Sequence, residues 1–165
     1  MEHYYKKWME YFKAHPQAIT ILNIINKIMT AIAFILYPVL VGFMVVEKDK
    51  RAIALIFVPA FCFVFVSIVR KLLHRPRPYD LYDYQPVIPR EKKGDSFPSR
   101  HVFSIFLIAT LWFGICQPIG TFLLLAGVIL AIIRVIGGVH FPKDVLCGAI
   151  VGILCGVLTL YLCKF

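Results

Sequence analysis

The stretch Arg134-Val135-Ile136-Gly137-Gly138-Val139-His140-Phe141-Pro142-Lys143-Asp144 leads directly into Val145–Cys163, an apolar run with no charged residue. A helix needs roughly 20 mostly apolar residues to cross the hydrocarbon core of a bilayer. The run meets that length, and ionisable side chains stand at its polar end. The same juxtaposition occurs upstream, where Ser96-Phe97-Pro98-Ser99-Arg100-His101 precedes the apolar run Val102–Cys116. Within Val145–Cys163, Gly148, Gly152 and Gly156 recur every four residues, the spacing of close helix–helix packing through small residues.

Three more candidate spans lie outward from these two. They are Ile28–Val46, with Pro38 as an expected kink; Ala52–Val69, ending on Arg70-Lys71; and Ile119–Ile133, continuing through Arg134. Val102–Cys116 is short for a span unless its helix starts near Ser99. Residues Gln17–Lys27 are ambiguous, because Asn23, Asn26 and Lys27 interrupt the apolar run. They either begin a long first span or form a separate segment. Further upstream, Tyr5, Trp8, Met9 and Phe12 recur at helical spacing opposite Lys6, Lys7, Glu10 and Lys13. That pattern predicts an interfacial amphipathic helix over residues 1–16, ended near His15-Pro16. No early apolar segment with a cleavage site precedes it, so no removable signal peptide is expected. The expected fold is all-α: a polytopic membrane helical bundle of five to six transmembrane helices plus the amphipathic helix, forming one domain over residues 1–165.

Composition agrees. Of 165 residues, 60% are hydrophobic and 16% charged, whereas a soluble domain carries about a quarter charged residues. Disorder, a collagen-like fibre, a disulfide scaffold and an ordinary soluble enzyme are excluded. The net charge of +9 comes from 18 Lys+Arg against 9 Asp+Glu. These basic residues fall between hydrophobic blocks, which favours anionic lipid headgroups or a phosphorylated substrate as partners and argues against nucleic acid. Cys62, Cys116, Cys147, Cys155 and Cys163 all lie in apolar stretches without a CxxC pair and read as small buried hydrophobes.

With five spans, the tight turns Glu47–Arg51 and Gln117-Pro118 share one membrane side. The long loop over residues 70–101 and the short one over 137–143 share the other, and they hold nearly all the reactive side chains. Pro98 and Pro142 each suit the first turn of a helix, so each is expected to mark a helix N-terminus, a favourable place for an anion. Ser99 adds a hydroxyl donor to the first. Asp144 can reach back to His140, hold its imidazole in one tautomer and leave the other nitrogen free to attack. Arg77, Arg134 and either Arg70 or Arg100 would surround a phosphate with planar forks. The set points to phosphoryl transfer through a histidine. His140 is the candidate nucleophile, and His101 the general acid and then the base that activates water. No acidic cluster is available for Mg²⁺ or Zn²⁺, so metal-independent chemistry without a cofactor is expected.

These residues resemble the type 2 phosphatidic acid phosphatase family, the lipid phosphate phosphatases whose fold is shared with vanadium haloperoxidases. The family motifs K-x6-RP, PSGH and SR-x5-H-x3-D are similar to Arg70-x6-Arg77-Pro78, Pro98-Ser99-Arg100-His101 and Arg134-x5-His140-x3-Asp144. The resemblance implies a phosphohistidine on His140 oriented by Asp144, acid/base work by His101, and phosphate binding by Arg77, Ser99 and Arg134. Three departures stand out. Arg70 replaces the family's first lysine, with Lys71 one residue out of register as a further phosphate ligand. Arg100 replaces the glycine of PSGH, where it either meets a second phosphate or points to headgroups. Ile133 replaces the serine before Arg134.

Arg75, Arg90, Lys92, Lys93 and Lys143 read as headgroup anchors, and His15 and His74 as bystanders. The expected substrate is a lipid phosphate or diphosphate. Undecaprenyl diphosphate is favoured by the compact bundle and Arg100; phosphatidylglycerol phosphate, phosphatidic acid and lipid A phosphates are alternatives. Rival activities are a lipid phosphotransferase, an anionic-lipid binding or transport protein and, more distantly, a vanadate-dependent peroxidase. Positive-charge counting would make the reactive face cytoplasmic. The resemblance instead places it on the extracytoplasmic face of the cell membrane, and that is the expectation adopted.

Overall fold

A computed structural model describes residues 1–89 and 94–163. The described chain is all-helical, in the order α1 (Glu2–Ala14), α2 (Pro16–Val46), α3 (Arg51–Leu73), α4 (Pro78–Leu81), α5 (Arg100–Ile115), α6 (Gln117–Ile136) and α7 (Pro142–Cys163). Among the described residues, α2, α6, α7 and the stretch beginning with α3 are long and apolar enough to cross a membrane, while apolar α5 is shorter. The chain is a polytopic helical bundle. Its exposed apolar side chains, such as Phe34, Phe57 and Phe61, suit contact with lipid.

The ambiguous segment Gln17–Lys27 is the first part of α2, which runs unbroken for 31 residues. At 1.5 Å per residue that is about 46 Å, longer than a bilayer core. Near its start Asn23 Nδ2 donates to the Val87 carbonyl at 3.2 Å, tying the helix to the long loop. α5 has the opposite proportion. Its 16 residues span about 24 Å, and most of its side chains are buried by the helices around it.

Small residues set how closely these helices approach. A Cβ at Gly148 would lie 2.7 Å from the Ser99 carbonyl oxygen, and one at Gly152 would lie 2.5 Å from that of Phe103. The glycine stripe of α7 therefore lies on the backbone of α5. A different device tolerates proline in α3. Pro59 has no N–H to give the Leu55 carbonyl, and the Tyr37 hydroxyl of α2 donates to that carbonyl at 2.9 Å instead.

A second apolar cluster lies at the polar end of the bundle, formed by α1, the start of α2, the long loop and the 137–141 turn. Tyr5, Met9 and Phe12 are buried in it. The apolar face of α1 thus covers protein rather than lying on lipid, while Tyr4 and Tyr11 remain exposed. Pro142 opens α7 as expected. Pro98 does not open α5: the helix begins at Arg100 with Ser99 as its N-cap. Three bonds hold the preceding turn extended. Ser96 N donates to the Arg75 carbonyl at 2.9 Å, Arg70 Nη1 to that of Pro98 at 2.9 Å, and Ser99 N to that of Asp144 at 3.0 Å.

Candidate active site

His140 sits at the end of the α6–α7 turn, fully buried, with Asp144 four residues on in the first turn of α7. That spacing puts both on one side of the turn. Asp144 Oδ2 lies 3.6 Å from His140 Nδ1, within ion-pair range but too long for a hydrogen bond. Ser96 fills the gap. Its hydroxyl donates to Asp144 Oδ2 and lies 3.4 Å from His140 Nδ1. Asp144 Oδ2 also accepts the backbone N–H of Phe141 at 3.0 Å. The carboxylate is therefore fixed by the turn it faces, and the expected Asp144–His140 contact is completed through Ser96.

The other ring nitrogen faces an arginine: His140 Nε2 lies 3.5 Å from Arg134 Nη2. Arg134 is in the last turn of α6, where Val139 N and His140 N both donate to its backbone carbonyl, at 3.3 and 3.2 Å. Arg77 and Arg70 are also buried, and both act electrostatically on His140. Arg77 Nε donates to the Gly94 carbonyl at 3.1 Å, and its backbone N–H to Asp80 Oδ2 at 3.0 Å. Gly94 N donates to the same Asp80 oxygen at 2.9 Å, closing the long loop around Arg77. Arg70, in the last turn of α3, holds the Pro98 carbonyl. Burial holds the His140 pKa well below the ordinary imidazole value, and the charges of Arg134, Arg77 and Arg70 lower it further, against the raising effect of Asp144. The balance favours the neutral imidazole.

Ser99 is fully buried at the start of α5, and among the described residues its hydroxyl has no hydrogen-bond partner. His101 occupies the first turn of α5, half-buried. Neighbouring residues separate by helix face: Arg70 points inward while Lys71 is exposed, and Arg100 is exposed next to buried Ser99. Lys71 and Arg100 thus lie outside the buried group of arginines. His74 is exposed, its Nδ1 3.0 Å from Asp95 Oδ1. Arg75 and Lys143 are exposed. Arg90, Lys92 and Lys93, read as headgroup anchors, lie outside the described residues. Among the described residues, no three His, Cys, Asp or Glu side chains converge as metal ligands would.

Sequence reasoning passed over Ser96 and Tyr5. Ser96 stood in a recognised cluster without a role, and only the fold places it between His140 and Asp144. Tyr5 read as one aromatic residue on an amphipathic face, yet its hydroxyl donates to the His140 carbonyl at 3.0 Å.

The sequence profile of the PAP2 superfamily matches residues 51–164. Two solved structures are similar over most of their length. LpxE of Aquifex aeolicus shares 29% identity at a TM-score of 0.66, covering 88% of this chain and 93% of its own. A transmembrane PAP2 type phosphatidylglycerolphosphate phosphatase from Bacillus subtilis superposes with a TM-score of 0.74 at 20% identity, covering 99% and 84%. The second likeness is one of fold. No curated sequence matches the chain.

Proposed function

The chain belongs to the PAP2 superfamily, and from that premise we propose that it is a membrane-embedded lipid phosphatase working through a phosphohistidine on His140. The observation that carries the reading is the position of His140 Nε2, 3.5 Å from a buried arginine, with Nδ1 turned to Ser96 and Asp144. A proton on Nδ1 leaves the Nε2 lone pair free for phosphorus. As Nε2 bonds to phosphorus, the phosphorus–oxygen bond to the lipid breaks, and His101 gives the leaving oxygen its proton. His101 then takes a proton from water, whose oxygen attacks phosphorus and breaks the phosphorus–nitrogen bond. Arg134, Arg77 and Arg70 stabilise the equatorial oxygens, and the Ser99 hydroxyl donates to one of them.

A lipid substrate also needs a place for its chain. A groove of about 310 Å³ opens between α2, α3 and α5, lined by Phe34, Pro38, Pro59, Phe63, Phe103 and Leu107 among others. Phe103 and Ser104 begin it one helical turn below Ser99 and His101, so a headgroup at the site could keep its chain in the bilayer. A polyprenyl diphosphate such as undecaprenyl diphosphate is the proposed substrate, with exposed Arg100 meeting the second phosphate. The proposed site faces the extracytoplasmic side. Its basic residues are needed for phosphate there and do not count as topology signals.

The test is a panel of lipid phosphates and diphosphates assayed for phosphate release in detergent micelles, with His140→Ala alongside. Trapping an acid-labile, base-stable phosphoenzyme that is lost in His140→Ala supports the mechanism. Wild-type turnover by His140→Ala refutes it. Faster release from a phosphatidylglycerol phosphate than from a polyprenyl diphosphate overturns the substrate assignment alone. Cysteine labelling in the turn Glu47–Arg51, which lies opposite the site, reads the sidedness.

A further inference from the structure

The three motifs leave out α1, yet one of its hydroxyl groups reaches the proposed nucleophile. Tyr5 is 1% exposed, and its phenol donates to the main-chain carbonyl of His140. The opposite edge of the same peptide unit is also held, because Phe141 N–H donates to Asp144 Oδ2 at 3.0 Å. The C=O and N–H of a trans peptide point to opposite edges of one rigid plane. Tyr5 and Asp144 therefore grip the His140–Phe141 peptide from both sides. Rotation of that plane would carry the N–H away from Oδ2, the oxygen that accepts from Ser96 and faces His140 Nδ1.

The preceding carbonyls of the turn are held in the same way. Tyr84 Oη donates to the Gly138 carbonyl at 2.9 Å, and Val87 N donates to that of Gly137 at 3.1 Å. Tyr5 and Tyr84 lie ring to ring, 5.8 Å between centroids and 12° from parallel, and Phe141 meets Tyr5 edge-on at 6.0 Å. Gly138 has φ of +79°, and a Cβ there would meet the Tyr84 ring at 2.9 Å, so the turn is close-fitted to these aromatics. Burial raises both phenols above their ordinary pKa, which keeps them protonated and donating.

We propose that Tyr5 is a positioning residue for the reaction: through the His140 carbonyl it fixes the peptide plane that aims Asp144, and with it the nucleophilic imidazole. The inference rests on the phosphohistidine reading above. It gives α1 a task in the chemistry of His140, 135 positions away.

Tyr5→Phe keeps the ring and removes only the donor. A displacement on the ångström scale costs as much as 10²-fold in rate, so kcat for phosphate release should fall roughly tenfold with KM little changed, while the melting temperature in detergent falls by the few degrees expected of one buried carbonyl left without its donor. Deuterium exchange at the Phe141 amide should become faster. Tyr11→Phe, on the exposed face of α1, should leave kcat and exchange at their wild-type values. If Tyr5→Phe does not fold, the wild-type enzyme decides: slow deuterium exchange at the Phe141 amide upholds the grip, and exchange as fast as in an unstructured peptide overturns it. A wild-type kcat in Tyr5→Phe, with wild-type enzyme labelled on His140, overturns the inference and leaves the proposed function standing. If wild-type enzyme is never labelled on His140, the function fails, and the exchange comparison judges the contact independently. Faster exchange in Tyr5→Phe upholds the grip on the peptide, and equal exchange overturns it.

Discussion

Replacing Gly148 by alanine places a methyl 2.7 Å from the Ser99 carbonyl oxygen and 3.4 Å from Phe103 N. Ordinary van der Waals contact begins at 3.4 Å, and the obstructing oxygen belongs to backbone that cannot swing aside. α5 and α7 must therefore separate by several tenths of an ångström at this level. Gly152 offers no relief, because the helices are just as close there. Separation acts where Ser99 N–H reaches the Asp144 carbonyl at 3.0 Å, so it draws Ser99 and His101 away from His140. Overpacking costs about 1–3 kcal/mol, offset by up to about 1 kcal/mol from the better helix propensity of alanine. The net loss of stability is modest, but the displaced site should lose roughly ten- to a hundredfold in kcat. Phosphate release from a lipid phosphate in mixed micelles, beside a thermal melt in the same detergent, separates the two effects. Gly42→Ala is the control: nothing lies within 4 Å of its added Cβ, and neither quantity should fall. Wild-type kcat in Gly148→Ala would show that α5–α7 spacing does not set the site.

Ser96→Ala removes the hydroxyl between Asp144 and His140. A lost hydrogen bond to a charged group is worth about 1.5–3 kcal/mol, so kcat should drop about ten- to a hundredfold in a steady-state assay. Tyr37→Phe leaves the Leu55 carbonyl without the donor that Pro59 cannot supply, and the melt should report a loss of about 1–3 kcal/mol. His140 binds its proton less readily folded than unfolded. As pH falls below the unfolded value of about 6.5, the unfolded chain takes up the proton first and stability declines. His140→Gln should flatten that part of a pH series of melting temperatures; an unchanged slope would assign it to other groups. Activity should persist in EDTA, since arginines are the groups assembled for phosphate charge, and vanadate should inhibit as a five-coordinate mimic. Strict dependence on added Mg²⁺ in the phosphate-release assay would contradict that account.

The bundle was legible because lipid imposes length and apolarity on each span, as in Val145–Cys163. The glycine stripe was legible for a related reason: spacing of four on an apolar helix leaves one face without side chains. α5 was harder. Its 16 residues are shorter than a bilayer requires, and its neighbours, which no local pattern records, make that length sufficient. Pro98 was misplaced because a proline's fixed φ suits an extended approach as well as a first turn, and the bonds from Arg70 to the Pro98 carbonyl and from Ser99 N–H to the Asp144 carbonyl decide between them. Helical periodicity found the apolar face of α1 but could not say whether lipid or protein covers it. Among site residues, adjacent cations divided by direction. Arg70 and Lys71 are both candidates in sequence, with Lys71 one residue out of register, and a step of about 100° around α3 buries the first and exposes the second.

That division bears on how a site this small manages phosphate charge. Arg70, Arg77 and Arg134 belong to different parts of the chain and are buried around one imidazole. In water such groups would be screened and weak. In a site of low dielectric each acts strongly on a charge that develops beside it. The same field opposes protonation of His140, so in the proposed mechanism the arginines that would stabilise a transferring phosphoryl group would also keep the imidazole nucleophilic. Asp144 must then do two things at once: offset the cations and hold the tautomer. It does so from the first turn of α7, where Ser96 and Phe141 N–H fix its carboxylate. In the proposed mechanism, positive charge, imidazole nucleophile and oriented carboxylate form one electrostatic arrangement, and loosening any helix end should weaken all three together.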